Sequence, residues 1–427
     1  GEIKIIKFLV SVIDNLTIII FLAGLFFAFL KMFEFKYGKK FFFLSSIMGI
    51  LSGFILFIVK KNNPAKTNLR IIRLNRYLLV IFALFLLLSF LSSVILSLKR
   101  DKTGKSKSFL IQNIFNLLTL YFGLFYGMGQ IFDLTGDFIY FGENTISTQA
   151  LFRMTGFSLG ILISALLFFS IYSISVRMSK RRFFVFLNVS LFINTVFALC
   201  RGISSLNRMN LLPINKFVFE IMIFEDKYKR HFTYATLFVA VIFAGIMFFE
   251  SLKIKGNFQN NAIRRKEKAR FKKNRRWAYS ILCSSAFIIF TLTYLNYYDT
   301  KEVPLTPPGE YEDAGDLILI PLDKVNDGHL HRFSYKTSDG IDVRFIVVKK
   351  SQGNAYGLGL DACEICGIAG YYERGNEVIC KRCDVVMNKA TIGFHGGCNP
   401  IPFPYEIKNA KIIIEKKTLE AEKKRFR

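Results

Sequence analysis

Long apolar runs alternate with short polar segments over the first 298 residues. A transmembrane helix needs about 20 apolar residues to cross roughly 30 Å of hydrocarbon. The predicted spans are Ile5–Leu30, Phe41–Val59, Tyr77–Leu98, Phe109–Phe132, Leu151–Val176, Phe183–Cys200, Phe232–Phe249 and Trp277–Tyr298. The sixth is short and contains four polar residues, so a chain with seven spans is the alternative. The pattern predicts a polytopic α-helical membrane domain of about eight transmembrane helices over residues 1–298.

The pattern changes after Asp299. Residues 299–309 contain a proline-rich stretch that predicts a stiff, extended linker. Beyond it, short alternating segments typical of strands are separated by glycine-containing turns. The predicted strands are Asp316–Pro321, His329–Tyr335 and Ile341–Lys349. Residues 310–427 are therefore expected to form a small, mainly-β domain.

The basic residues are concentrated in the predicted membrane domain. The formal net charge is +27, and residues 1–298 hold 39 basic and 12 acidic residues, whereas the remainder holds 19 of each. An excess of Lys and Arg in the segments between apolar runs is typical of the cytoplasmic loops of membrane proteins. The net charge therefore does not indicate a nucleic-acid-binding protein. With 52% apolar residues in long runs, a single soluble enzyme domain is excluded as well.

The loop charges predict an orientation. Glu250–Arg276 contains eleven basic residues and is expected in the cytoplasm. Asp133–Ala150 contains no Lys or Arg and carries Asp133, Asp137 and Glu143, so it is expected outside. Only Lys60–Arg76, with six basic residues, fits this arrangement badly. The orientation places the C-terminal domain on the extracytoplasmic side.

Few ionisable residues lie within the predicted spans. Asp14 is the acidic residue well inside a span, and we expect it either to serve a function or to pair with Asn15 or a neighbouring helix. The single histidine of this region, His231, cannot supply the histidine pairs of membrane haems. The region also lacks the carboxylate pairs expected of a pore that conducts Fe³⁺.

Five of the seven cysteines fall within 36 residues of the C-terminal domain. Cys363 and Cys366 form one CxxC pair and Cys380 and Cys383 a second, with a predicted hairpin turn between the pairs. Gly367 allows the first pair its tight turn. Four thiols at this spacing predict a metal site, with disulfides as the alternative. Zinc, a mononuclear iron and an iron–sulfur cluster all accept four cysteine ligands.

Three further residues are candidates for the same site. His395 and Cys398 lie in a glycine-rich segment without a core-packing pattern, and either residue could join the metal or form a second site. His329 and His331 are expected on one face of a strand because they are two residues apart. A metal or redox role and a role as ordinary surface residues both remain open for these histidines.

Several segments resemble the FtrD-like membrane iron–sulfur-containing proteins. The resemblance covers roughly Gly309–Ile414 and is carried by DGHLHRFSY, VRFIVV, LDACEICGIAGYY, VICKRC and TIGFHGGCNPIPF. It implies a multi-pass protein of the bacterial inner membrane that works beside an iron permease and a periplasmic iron-binding protein. It also implies metal ligation by Cys363, Cys366, Cys380, Cys383 and Cys398, and it matches His331 to the family's histidine.

These observations predict an accessory protein of iron uptake, in contact with the lipid bilayer, that transfers electrons or iron rather than catalysing a reaction. Its cofactor would be iron or an iron–sulfur cluster in the extracytoplasmic domain. A membrane-tethered zinc ribbon that serves as an interaction module is the alternative. A CxxC dithiol oxidoreductase is a third class.

Overall fold

The structure, a computed structural model, describes residues 2–35, 37–62, 64–98, 107–138, 148–252, 260–300, 305–350, 355–374, 377–382, 385–396 and 398–426. The chain divides into two compact units, Gly1–Thr300 and Lys301–Arg427. We call them the helical unit and the C-terminal unit.

The described part of the helical unit contains eight helices long and apolar enough to cross a membrane. They are α1 (Glu2–Met32), α2 (Gly38–Asn62), α3 (Pro64–Leu98), α4 (Lys107–Thr135), α5 (Thr148–Ser175), α6 (Lys180–Arg208), α7 (Lys216–Leu252) and α8 (Asn261–Phe290). A π-helical turn, Thr291–Leu295, continues α8 into the short α9, Asn296–Thr300. The predicted fold class is confirmed, and the weak sixth span is a full-length helix.

Several helices extend beyond the predicted spans. Helix α7 begins at Lys216, sixteen residues before the predicted start, and α3 begins at Pro64 within the segment expected to be a basic loop. Hydropathy detects only the apolar part of a helix, which can lie in the hydrocarbon of the bilayer. The helix itself can continue through charged residues, because each further residue still forms a backbone hydrogen bond. Proline at the first helical position is favourable because its missing N–H would lack a helical partner.

Helix α1 is the most enclosed span and packs closely against α5. A Cβ atom added at Gly156 would clash with the Ile5 carbonyl oxygen, and one at Gly160 would lie 2.7 Å from Val12 Cβ. Only glycine fits at such short backbone separations, which is typical of helix pairs in membranes. The later residue of α5, Gly160, meets the later residue of α1, Val12. Helices α1 and α5 therefore run parallel.

The described part of the C-terminal unit contains three antiparallel sheets. Its strands are β1 (Glu312–Ala314), β2 (Leu317–Pro321), β3 (His331–Lys336), β4 (Asp342–Lys349), β5 (Tyr356–Leu360), β6 (Tyr371–Arg374), β7 (Glu377–Cys380), β8 (Val386–Met387), β9 (Glu406–Lys408) and β10 (Lys411–Glu415), and α10 (Lys416–Ala421) follows β10. The sheet orders are β1-β2-β10-β9, β3-β4-β5 and β6-β7-β8. The first two sheets share a core that includes Ile318, Phe345 and Leu358, and the third holds Cys380 at the end of β7.

The predicted hairpin between β3 and β4 is present, and its Gly340 has a φ of +81°, the left-handed region that glycine adopts readily. Strand β3, however, begins at His331 rather than His329. The Asp327 carboxylate accepts a hydrogen bond from the His329 backbone N–H at 2.9 Å, which holds this residue in a turn. The expectation that both histidines lie on one strand is therefore wrong.

Candidate metal centre

The first CxxC pair lies on a tight turn between β5 and β6. The backbone N–H of Cys363 donates to the Gly367 carbonyl at 3.1 Å, and the N–H of Gly367 donates back at 3.0 Å. Gly367 has a φ of +66°, as the turn requires. The backbone N–H of Cys366 donates to Cys363 Sγ at 3.0 Å. This bond stabilises negative charge on the sulfur, as a metal-binding thiolate needs.

Cys380 brings a third thiol to this turn from the end of β7. It pairs with Tyr371 of β6 across the hairpin, so the predicted hairpin folds the second CxxC segment back onto the first. The Sγ atoms of Cys363, Cys366 and Cys380 lie within 4.8 Å of one another. All three residues are buried, with 1–6% of their surface exposed. Three converging thiols fit a thiophilic metal centre, because one ion or cluster can contact all of them.

Cys383 lies outside the residues that the structure describes, so its predicted role as the fourth ligand stays a prediction. Cys398 is half-buried and packs against the cluster that contains the three thiols. It does not belong to the group of mutually close sulfur atoms found among the described residues. The structure therefore places Cys398 beside the thiols without assigning it as a ligand.

A buried ion pair holds the two cysteine segments in place. Arg332 Nε of β3 donates to Asp361 Oδ2 at 2.8 Å, and both side chains are at most 1% exposed. Asp361 Oδ1 accepts from the Tyr371 backbone N–H at 2.8 Å, and an Arg332 guanidinium N–H donates to the Tyr371 carbonyl. Asp361 lies two residues before Cys363, and Tyr371 pairs with Cys380. We call these three residues the clamp.

The clamp leaves little of its polar surface unpaired. Arg332 Nη1 also donates to the Thr306 carbonyl at 2.7 Å and to its hydroxyl at 2.9 Å, and Arg344 approaches Asp361 Oδ2 at 3.7 Å. Gly370 has a φ of +82°, and a Cβ there would lie 3.0 Å from the Asp361 carboxylate. Sequence reasoning missed the clamp, although Arg332 and Asp361 both lie in the motifs that carry the family resemblance.

The Tyr371 side chain connects the thiols to the glycine-rich segment. Its hydroxyl donates to the Cys398 carbonyl at 2.6 Å. Burial, and then the nearby thiols of Cys363 and Cys380, raise the pKa of this hydroxyl far above its ordinary range. The phenol therefore stays neutral and acts as a hydrogen-bond donor, which fixes the backbone of Cys398 next to the thiols.

The predicted histidines take other partners. His331 Nε2 lies 2.7 Å from Asp327 Oδ1, and His329 Nδ1 lies 3.1 Å from Glu373 Oε1. His395 is exposed. None of the three belongs to the group of close ligand atoms in the described residues. The structure thus brings together three of the predicted cysteines and leaves the histidines apart from them.

Apolar side chains are exposed around the thiols. Ile365, between the first two cysteines, is 68% exposed, and Phe394 of the glycine-rich segment is 60% exposed. The Arg382 guanidinium lies 3.4 Å from the Cys366 carbonyl oxygen. The thiols are therefore buried beneath a thin layer of loop residues, close to the surface of the unit.

Comparison with known proteins agrees with this site. Residues 325–426 match the family model described as "Membrane iron-sulfur containing protein FtrD-like". No curated protein and no solved structure matches the chain. The matched range holds every clamp residue and every clustered cysteine and follows the eight helices. The C-terminal unit of this multi-pass membrane protein thus carries a domain of the FtrD-like family, as the sequence motifs predicted.

Proposed function

We propose that this protein is an accessory component of bacterial iron uptake. Its C-terminal unit holds a thiolate-ligated iron or iron–sulfur centre that passes electrons or iron to a partner permease. The convergence of Cys363, Cys366 and Cys380 carries the proposal, since one redox-active disulfide uses only two thiols. The family description supports iron over zinc. The centre supplies one-electron chemistry when it is bound.

The residues around the thiols suit this role. The N–H of Cys366 donates to Cys363 Sγ, and the Arg382 guanidinium donates to the Cys366 carbonyl oxygen. Hydrogen bonds to sulfur and positive charge nearby favour the more negative, reduced state of a centre. The clamp keeps the cysteine segments rigid, which a metal site requires for fixed geometry. The shallow burial leaves only a short path between the centre and a docked partner.

We also propose that the C-terminal unit lies outside the cytoplasm. The basic segment Glu250–Arg276, most of whose basic residues lie in the first half of α8, supports this side. An ion pair between Lys60 Nζ at the end of α2 and Asp133 Oδ2 near the end of α4, at 2.6 Å, supports the alternate crossing on which the orientation rests. When successive helices cross the membrane in alternate directions, the C-terminal ends of α2 and α4 lie on the same side of it. The test is labelling of Ser338→Cys and Asn261→Cys with a membrane-impermeant thiol reagent in intact cells. Labelling of Asn261→Cys alone would overturn this orientation.

The metal is tested on the full-length protein purified in detergent without oxygen. We expect iron in stoichiometric amount, visible sulfur-to-iron absorption bands, and loss of both in Cys380→Ser. Cys283→Ser is the matched control, because that exposed cysteine lies in α8 and is far along the chain from the cluster. A colourless protein with stoichiometric zinc would replace the proposal with the zinc-ribbon interpretation. A metal-free protein with titratable thiols would favour the dithiol oxidoreductase.

A further inference from the structure

A polar cavity lies inside the helical unit, at the end where α3 and α7 begin and α4 and α6 end. Its inner part reaches Asp14 of α1 and Lys229 of α7, and its outer part reaches Arg208 of α6 and Glu225 of α7. The two parts share Tyr126 and Arg201, among other residues. Their volumes are about 80 Å³ and 210 Å³, which together approach the roughly 300 Å³ of the smallest ligand pockets.

The cavity carries an excess of positive charge. Four cations line it, Arg76, Arg201, Arg208 and Lys229, against two carboxylates, Asp14 and Glu225. Lys229 Nζ is paired with Asp14 Oδ2 at 2.9 Å, which confirms the expected pairing of Asp14 with a neighbouring helix. The excess therefore comes from the arginines of the outer part.

Arg201 and Arg208 share a single carboxylate. Arg201 Nε and Arg208 Nη2 each lie 3.6 Å from an oxygen of Glu225, longer than the 2.7–3.2 Å of an ordinary hydrogen bond. Arg201 Nη2 donates to the Tyr126 hydroxyl at 2.9 Å, and its guanidinium lies 5.4 Å from the Phe197 ring, so its position is fixed. The held guanidinium of Arg201 and the half-exposed one of Arg208, both loosely paired with the same carboxylate, are suited to a second oxyanion.

Unpaired acceptors also line the cavity. Asn194 is 1% exposed, its amide N–H₂ donates to Thr236 Oγ1 at 3.1 Å, and its Oδ1 has no hydrogen-bond partner. Asn75 Oδ1, in the outer part, is buried without a partner as well. A buried acceptor without a donor is costly, so these oxygens indicate a ligand with a hydroxyl group.

We propose that the polar cavity binds a small oxyanion, a carboxylate or a phosphate, that also carries a hydroxyl group. The oxyanion would contact Arg201 and Arg208, and the hydroxyl would donate to an asparagine oxygen. Two sources share this chemistry: a free hydroxylated anion and the headgroup of an anionic lipid. The excess positive charge disfavours a bare metal cation in the same place. This site does not depend on the cysteine centre.

The test uses the full-length protein in a neutral detergent, titrated with citrate and with glycerol 3-phosphate. Binding is measured by calorimetry at low and high salt. We expect binding that weakens with salt and that falls at least tenfold in Arg201→Gln and in Arg208→Gln. The control is Arg182→Gln, whose guanidinium pairs with Glu250 near the opposite end of α7. The Arg208 side chain is half exposed, so its replacement tests binding even if Arg201→Gln does not fold.

Native mass spectrometry separates the two sources. Retention of phosphatidylglycerol over phosphatidylcholine by the wild type, lost in Arg208→Gln, would assign the site to a lipid headgroup. Binding of citrate or glycerol 3-phosphate without lipid retention would assign it to a free anion. The proposal is overturned if neither the soluble probes nor the lipid distinguish Arg208→Gln from Arg182→Gln. Iron content should be equal in all these variants, which keeps this outcome separate from that of the metal experiment.

Discussion

The two units of this protein differ in how completely their buried polar side chains are hydrogen-bonded. Among the described residues, every buried side-chain N or O atom without a hydrogen-bond partner lies in the helical unit, in residues such as Asn75, Asn116 and Asn194. In the C-terminal unit, the buried pair Arg332–Asp361 is surrounded by partners at hydrogen-bond distance. The arginines beside Glu225 are only loosely paired.

This difference indicates different roles for charge. A saturated, water-excluded pair fixes one geometry, and removing one partner leaves an uncompensated buried charge. A loosely paired group on an open cavity can be hydrated or can meet a ligand, so its loss costs little stability. The clamp should therefore behave as a structural element and the cavity charges as binding groups. Mutations in each unit test whether this difference holds.

The largest effect should follow loss of a clustered thiol. In Cys363→Ser, the sulfur that accepts from the Cys366 N–H is removed, and stoichiometric metal should be lost. Structural zinc contributes roughly 10–16 kcal/mol to the folding of zinc-finger peptides, and loss of a thiolate-bound metal should likewise open the C-terminal unit. Metal analysis and hydrogen–deuterium exchange of peptides from residues 355–396 measure this. Full metal content and unchanged protection would show that no thiolate site exists.

Arg332→Gln should have the next largest effect. The substitution leaves the Asp361 carboxylate, which is fully buried, without its main cationic partner, and breaking such a pair typically costs 3–5 kcal/mol. Protection of the β3 and β6 peptides against hydrogen exchange should fall accordingly, with reduced metal content. Lys417→Gln is the control, since the pair Lys417–Glu415 is largely exposed and is screened by water, so its loss should hardly change stability. Equal effects of both substitutions would refute a structural role for the clamp.

Tyr371→Phe should be milder, because the ring remains packed and only the hydroxyl is removed. The Cys398 carbonyl would lose a hydrogen bond of 2.6 Å, at a cost of about 1–2 kcal/mol. The glycine-rich segment should exchange faster while the metal content stays near that of the wild type. A shift of the visible spectrum in this variant would show that the position of Cys398 affects the centre. An unchanged exchange rate over residues 391–399 would contradict the proposed connection.

Much of this arrangement was predictable from the sequence. The long apolar runs predicted eight spans, and the CxxC spacing predicted that Cys363, Cys366 and Cys380 meet. Both features depend on residues that are close together in the chain. The clamp was not predictable in the same way. Arg332 and Asp361 are 29 residues apart, and only the packing of β3 against the β5–β6 connection brings them together. The cavity likewise depends on five helices whose packing no local pattern specifies.

Replacement of Glu373 should have a smaller effect on stability, and this effect should depend on pH. Burial opposes ionisation, but hydrogen bonds from the Leu330 N–H, His329 and Lys389 outweigh it and lower the pKa of this carboxyl. Its stabilisation should be complete above about pH 4.5 and should be lost as the pH falls through the lower folded-state pKa. Glu373→Gln should thus destabilise β6 by about 1 kcal/mol at pH 7 and by less in acid. A difference between variant and wild type that does not shrink on acidification would exclude this origin.

The smallest effect should come from Asp14→Asn, which tests the other half of the comparison. Asp14 pairs with Lys229 at 2.9 Å, but the Lys229 side chain is 43% exposed and lines the cavity. Water can therefore solvate the ammonium group once the carboxylate is gone, and the loss should stay below about 1 kcal/mol, as for exposed pairs. Thermal unfolding in detergent measures it, with Lys60→Gln, at another partly exposed pair, as the control. A loss comparable to that of Arg332→Gln would mean that Asp14–Lys229 is a structural pair despite the cavity, and that open space beside a charge does not by itself identify a binding group.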